Sequence, residues 1–244
     1  METFVQDVRF GGRMLLKNKS FTLVAIAALA LGIGASTAIF SLIDAVLLRP
    51  LPYPHPERVV VLEGINPARG ITDSNVSALD VLDWKARSDV FEHLALYFTA
   101  GAVLAAENGE PVRVPRAGVQ WEFFTAVGVQ PLLGRAFGPA QDRASAEPAA
   151  LLGNNLWRRH FGADRNIIGR QLTINGRLTT VLGVMPPGFN FPNGETEIWT
   201  AMRLDPAEEV RSNRSLQAIG RLKPNATIEQ AQTQLTPRQL QTLR

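Results

Sequence analysis

Residues 170–184 read RQLTINGRLTTVLGV, with Asn175 and Gly176 standing between two runs of strand-forming residues. The two central positions of a tight hairpin both need positive φ, which glycine adopts freely and asparagine at small cost. The segment therefore predicts a β-hairpin and places antiparallel sheet in this half of the chain. Downstream, MPPGFNFP (185–192) reads as a turn-rich loop, followed by short strands in EIWTAM (197–202) and LQAIGRLK (216–223). Upstream, ALLGNNLWRRHFG (150–162) passes from an apolar strand into a helix closing at Gly162, with Gly153-Asn154-Asn155 where a Ser or Asp cap is expected.

Further from the hairpin the same mixture continues. WEFFTAVG (121–128) predicts a short helix ending at Gly128, and VRVPRAGVQ (112–120) a strand. HLALYFTAGAVLAA (93–106) reads as strand broken near Gly101. Ser77 caps a helix reaching Lys85, with Asp80 in its first turn. Thr227 with Gln230 forms a capping box ahead of an amphipathic helix interrupted at Pro237. Val59, Val60, Val61 and Leu62 predict a buried strand. Interleaved strands and short helices with hairpin turns indicate an α+β domain.

Upstream of this domain the character changes. Between Lys19 and Asp44 lie 24 residues without a charge, of which 17 are Ala, Val, Ile, Leu or Phe. As a helix at about 1.5 Å per residue they span roughly 36 Å, against about 30 Å of bilayer hydrocarbon. Within the run, LALGIGASTAIF (29–40) approaches a dinucleotide loop, but the third glycine is replaced by Thr37 and the flanks are helix-like. A cleaved signal has a shorter apolar core, and a buried helix of this length without charge is unusual in a soluble domain. The run predicts a transmembrane helix. Ala28, Gly32 and Ser36, and in a second frame Ala30, Gly34 and Ala38, recur at a four-residue spacing that lets helix backbones approach closely in lipid. Ala28, Gly32, Gly34 and Ser36 are the candidate helix-packing residues.

Charge supports this placement. The chain carries +3 overall, and residues 1–19 hold Arg9, Arg13, Lys17 and Lys19 against Glu2 and Asp7. Arg9, Arg13 and Lys17 fall four apart on one helical face, with Val5, Val8, Leu15 and Leu16 largely away from them, as in an amphipathic helix at a membrane surface. Basic residues favour the cytoplasmic side, which puts the N-terminus inside and everything after Asp44 outside. Pro50, Pro52, Pro54 and Pro56 then predict an extended connector. The expected organisation is a basic helix over 1–19, a transmembrane helix over 20–43, a proline-rich connector over 44–57, an extracytoplasmic domain over 58–235 and a tail over 236–244.

Chemistry is sparse. With no cysteine, disulfides and thiolate sites are excluded. His55, His93 and His160 have no metal-binding neighbour at helical spacing; His93 and His160 are expected beside helix ends. Asp80 and Asp83 share a helix but offer too few ligands for a cation. There is no G-x-S-x-G or H-E-x-x-H motif, and the phosphate-loop pattern is absent. Asn18, Asn75, Asn213 and Asn225 each head an Asn-x-Ser/Thr pattern. Trp84, Trp121, Trp157 and Trp199 are spaced as anchors of separate elements. The excess basic charge is not spread along a stripe, so no nucleic-acid partner is expected. No enzyme, metal or cofactor is expected.

The sequence resembles the permeases of MacB/FtsX-type ABC transporters, above all those with a long periplasmic core domain. The likeness is carried by FTLVAIAALALGIGASTAIFSLIDAVLLRPLPYPHPERVVVL (21–62), FFTAVGVQPLLGRAF (123–137), LWRRHFGADRNIIGRQLTINGRLTTVLGVMPPGFNFP (156–192) and RLKPNATIEQAQTQL (221–235). It implies a first transmembrane helix, a periplasmic core domain and three further helices in a bacterial cell membrane. It also implies a second permease copy, an ATP-binding subunit or domain that would hold the ATP, and a periplasmic adaptor. Such permeases couple ATP-driven motion on one side of the membrane to an outer domain on the other, in efflux or mechanotransmission. The later helices are not in this sequence, and TPRQLQTLR (236–244) differs from the family's usual continuation. The expectation is an N-terminal permease portion, a fragment or truncated product. The alternative is a stand-alone membrane-anchored binding or scaffold protein; a secreted hydrolase is disfavoured by the missing motifs.

Overall fold

A computed structural model describes residues 17, 19–43, 54–64, 75–105, 110–235 and 240–242. The chain divides into two units, residues 1–51 and 52–244, each described by itself.

In the first unit, α1 runs Lys19–Ile43, 25 residues. Leu23, Val24, Ile26, Leu29, Leu31, Ile33 and Phe40 are each 61–75% exposed. The side chains of Phe21, Ala25, Ala38, Ile39, Ser41, Leu42 and Ile43 lie outside the described ones, so the longest unbroken described run is residues 26–37. Over the described residues no helix is long and apolar enough to cross a membrane. Lys17 and Lys19 are helical and exposed; Arg9 and Arg13, and with them most of the expected basic helix, lie outside the described residues.

The connector departs from expectation where it is described. Pro54 and His55 form a bend, and Pro56–Arg58 is a 3₁₀ turn rather than extended chain. Proline at the first helical position has the right φ and lacks only a donor that would be unused. The Arg58 N–H closes the turn on the His55 carbonyl at 3.1 Å, and His55 takes the left-handed φ of 53°. Pro50 and Pro52 lie outside the described residues.

Among its described residues the second unit carries ten strands: β1 Val59–Leu62, β2 Phe91–Leu104, β3 Val112–Val119, β4 Leu133–Gly134, β5 Ala149–Leu152, β6 Gln171–Ile174, β7 Arg177–Val184, β8 Ile198–Ala201, β9 Gln217–Leu222 and β10 Leu240–Thr242. The helices α2 Ala78–Arg87, α3 Glu122–Val127, α4 Asn154–Phe161 and α5 Ile228–Gln234 punctuate them. The strand order is β10-β1-β9-β2-β3-β8-β5-β7-β4, with β6 pairing both β7 and β2. Most pairs are antiparallel; β3–β8 and β5–β7 are parallel.

β2, 14 residues long, organises the domain. Its alternation sends Leu94 and Leu96 into one cluster with Val60, Leu62, Ala218 and Leu222 beneath α2 and α5. Ala95 and Tyr97 face the other way, into a cluster with Phe123 and Phe124 of α3 and with Phe189, Phe191 and Trp199. α3 has only six residues, too few to hold by itself. Phe123 and Phe124, both fully buried, fasten it, with ring centroids 5.4 Å apart and planes at 86°.

The later half of β2 takes part in a closed ring. β2, β3, β8, β5, β7 and β6 are successive neighbours, and β6 returns to β2 through the pair Leu104 and Ile174. Backbone bonds from Ala105 N to Thr173 O (2.9 Å) and from Asn175 N to Val103 O (2.8 Å) fasten the seam. All six strands send apolar residues into one interior cluster: Leu104, Val114, Ile198, Leu152, Val181 and Ile174 among them. Leu156 and Trp157 of α4, which follows β5, and Ile167 complete that cluster.

Strand β2 runs straight through Gly101, where a break was expected, because it pairs β3 without a register shift from Tyr97–Val119 to Leu104–Val112. The hairpin is as expected: Asn175 has φ 51° and Gly176 φ 75°, joining β6 to β7. α2 and α5 start with the capping boxes of Ser77–Asp80 and Thr227–Gln230. α4 starts at Gly153 without a side-chain cap.

Candidate functional site: the mouth of the strand ring

Three ring strands change character toward the same end. β3 turns Val112, Val114 and then Arg116 to one face; β8 turns Ile198 and then Thr200. On β7, read back from Val181, the residues at the same alternation are Thr179 and Arg177. Strand alternation therefore carries each row of side chains out of the apolar interior into a polar rim. The rim encloses a cavity of about 390 Å³ lined by Arg116, Asn175, Arg177, Thr179, Thr200 and Arg203, with Pro148, Ala149, Ile174 and Ala201. The lining holds three arginines and no carboxylate.

Arg116 sits deepest in charge terms. Its Nη1 donates to Thr200 Oγ1 at 2.7 Å, and its guanidinium carbon lies 5.0 Å from the Phe98 ring centroid. Its Nε is buried without a hydrogen-bond partner. Burial pushes its pKa below the usual arginine value; arginine nevertheless stays protonated near neutral pH. Thr200 accepts from Arg116, which leaves its own hydroxyl proton free to donate, whereas the Thr179 hydroxyl is spent on Arg177 O at 3.1 Å. Arg203 donates to Ala146 O at 3.0 Å, and Arg177 is exposed.

Several other arginines of the domain have acidic or multiple backbone partners. Arg58 pairs with Glu92, Arg159 with Glu197, Arg211 with Asp83 and Arg214 with Asp80. Buried Arg221 donates to Ala126 O at 2.7 Å, at the end of α3, and to Pro54 O at 3.1 Å. The rim differs in gathering three guanidinium groups about one cavity whose lining holds no carboxylate.

The sequence-derived candidates lie elsewhere. Ala28, Gly32, Gly34 and Ser36 are all exposed on α1. Asp80 closes the α2 cap and pairs with Arg214 at 3.0 Å. His93 lies in β2, and its Nδ1 is 4.0 Å from Glu122 at the start of α3, which also pairs with Lys85. The strand begins two residues before it, at Phe91, and α2 ends upstream at Arg87. Asp142 accepts from the Trp121 N–H at 2.9 Å, and burial pushes its carboxyl up to about 6. Nearby Glu122 adds to that rise, while the Trp121 bond and Lys85 oppose it. No group of three or more metal-ligating side chains occurs among the described residues. Nothing in the spacing of Arg116, Arg177 and Arg203 singled them out; the successive pairing of β3, β8, β5 and β7 assembles them.

Comparison with known proteins follows the same lines. The family described as MacB-like periplasmic core domain matches residues 22–238. Three solved structures are similar. A domain of a proposed permease protein from Porphyromonas gingivalis is 17% identical with a TM-score of 0.56, over 79% of this chain and 93% of its own. The periplasmic region of MacB from Actinobacillus actinomycetemcomitans is 14% identical, TM-score 0.56, over 75% and 87%. The extracellular domain of the noncanonic ABC-type transporter YknZ from Gram-positive bacteria is 12% identical, TM-score 0.54, over 76% and 100%. At these identities the likeness is one of fold. No curated protein matches the chain.

Proposed function

The chain belongs to the family of the MacB-like periplasmic core domain, and we propose that it acts as the N-terminal part of an ABC transporter permease. In this reading residues 20–43 cross the cell membrane, with Arg9, Arg13, Lys17 and Lys19 at its cytoplasmic face. The second unit then stands outside and follows motion driven by a partner that binds ATP. A second copy of the permease completes the assembly, and an adaptor meets the outer domain. ATP belongs to the partner; this chain shows no nucleotide loop in its sequence.

The observation that carries the reading is the state of α1. Seven large apolar side chains along it are 61–75% exposed. Removing each from water is worth about 1.5–3 kcal/mol, so together they favour an apolar surrounding by roughly 10 kcal/mol or more. A contiguous apolar surface of this kind on a soluble protein marks a contact with lipid or with another helix. The absence of charge from Ser20 through Ile43 and the basic leader fit lipid.

Because the chain has no cysteine, single-cysteine labelling gives a clean test. Ser145→Cys should react with a membrane-impermeant maleimide in intact spheroplasts, and Lys17→Cys only after lysis. Shielding of Ser145→Cys in spheroplasts would overturn the topology. The coupling role has a separate readout: the full chain should co-purify an ABC ATPase from its native membrane, and failure to do so would favour a stand-alone scaffold.

A further inference from the structure

We propose that the mouth of the strand ring is a binding site for a phosphate group, held by the guanidinium groups of Arg116, Arg177 and Arg203 and the hydroxyl of Thr200. The site lies within the second unit, so it stands whether or not α1 crosses a membrane.

The first argument is electrostatic. Three guanidinium groups line one cavity, and no carboxylate among its lining residues balances them. Holding a partly buried charge without a partner is costly, and the cost falls when an anion is supplied. Arg116 bears this most clearly, since its Nε is buried without a partner and its Nη1 reaches only a hydroxyl.

The second argument is geometric. Arg116 is fixed from two sides, by Thr200 Oγ1 and by the Phe98 ring, which holds its planar fork in one orientation. Thr200 is left with a proton to donate. Arg203 is likewise braced against Ala146 O. Such pre-ordered forks match the tetrahedral oxygens of phosphate in bidentate fashion. A monocarboxylate or a phosphodiester would offset one of three positive charges, whereas a phosphate monoester at neutral pH carries close to two negative charges. The volume, about 390 Å³, accommodates the phosphate with a small organic group attached, within the usual range of small-molecule sites.

Phosphate can arrive as a soluble monoester or as the diester of a lipid headgroup. Isothermal titration of the full chain in neutral detergent, in low-chloride buffer, separates these. The probes are glycerol 3-phosphate for the monoester and glycerophosphoglycerol for the diester. Saturable binding of the monoester alone assigns a soluble phosphate ester; binding of the diester as tightly or more tightly assigns a headgroup. Arg177→Gln, at an exposed position, and Arg203→Gln should each weaken binding roughly tenfold, the scale of one charge-assisted contact. Arg165→Gln, on an exposed arginine away from the mouth, should change it less than about twofold. Arg116→Lys, which keeps the charge and loses the fork, should also weaken it. The proposal is overturned if neither probe binds saturably, or if Arg165→Gln weakens binding as much as Arg177→Gln does.

Discussion

Gly118 faces Phe98 across the β2–β3 ladder, and a Cβ built at Gly118 would run into the Phe98 ring. The same ring holds the guanidinium of Arg116, so the glycine makes room for the aromatic brace of the ring mouth. Gly118→Ala is expected to destabilise the domain by about 1–3 kcal/mol, the usual cost of overpacking. Urea denaturation should show most of that loss recovered in Gly118→Ala/Phe98→Leu. An unchanged denaturation midpoint in the single variant would show that the ring can move aside. Asp142 offers a second test at this scale. Its carboxyl is raised to about 6 by burial, above the value of 3.8 expected when unfolded. Between these values the folded state keeps a proton that the unfolded chain gives up. Stability from this group is therefore present below about 4 and lost as pH rises through about 6. Asp142→Asn keeps an oxygen for the Trp121 N–H. It should raise the melting temperature by a few degrees near pH 7.5, on the scale of roughly 1 kcal/mol, and have little effect near pH 4.

The hairpin of β6 and β7 has a role beyond its own turn. Asn175 takes positive φ, its N–H bonds Val103 O, and its Oδ1 accepts from the Val103 N–H at 2.8 Å. One residue thus makes the turn and fastens the seam of the ring. Asn175→Ala removes the side-chain acceptor and a residue suited to that backbone. A loss of about 1–2 kcal/mol is expected, with faster amide exchange at Val103 and Ala105. Exchange confined to the turn itself would mean that the seam does not depend on Asn175. Elements of this kind were legible beforehand because their signals are local. Asn-Gly requires one turn, and Ser77 with Asp80, or Thr227 with Gln230, satisfies the first N–H groups of a helix whatever lies around it. The misreadings were also local. Gly101 suggested a break, but eight residues of unbroken ladder with β3 outweigh the flexibility of one glycine. Alternating prolines suggested extended chain, yet Pro56 begins a 3₁₀ turn that delivers Arg58 to Leu222 O at 2.8 Å.

At the scale of the molecule, β1 is covered on one side by β9 and on the other by β10. The run Val59-Val60-Val61-Leu62 would be a flat apolar edge without β10, and such edges invite pairing with another chain. Deleting residues 236–244 should therefore shift the protein toward self-association in size-exclusion chromatography, relative to the full chain at the same detergent concentration. An unchanged elution profile would show that β10 does not guard that edge. The sequence alone determined the basic leader, the uncharged apolar run, the hairpin and the two capped helices. Each rests on composition or on contacts between residues a few positions apart. It also carried the family likeness. Tertiary structure alone decided the ring and its mouth. Arg116 on β3, Arg177 on β7 and Arg203 just past β8 are far apart in sequence, and no periodicity links them. They meet because β3, β8, β5 and β7 are neighbours in the ring, and pairing between strands distant in sequence leaves no mark in the spacing of the residues it brings together.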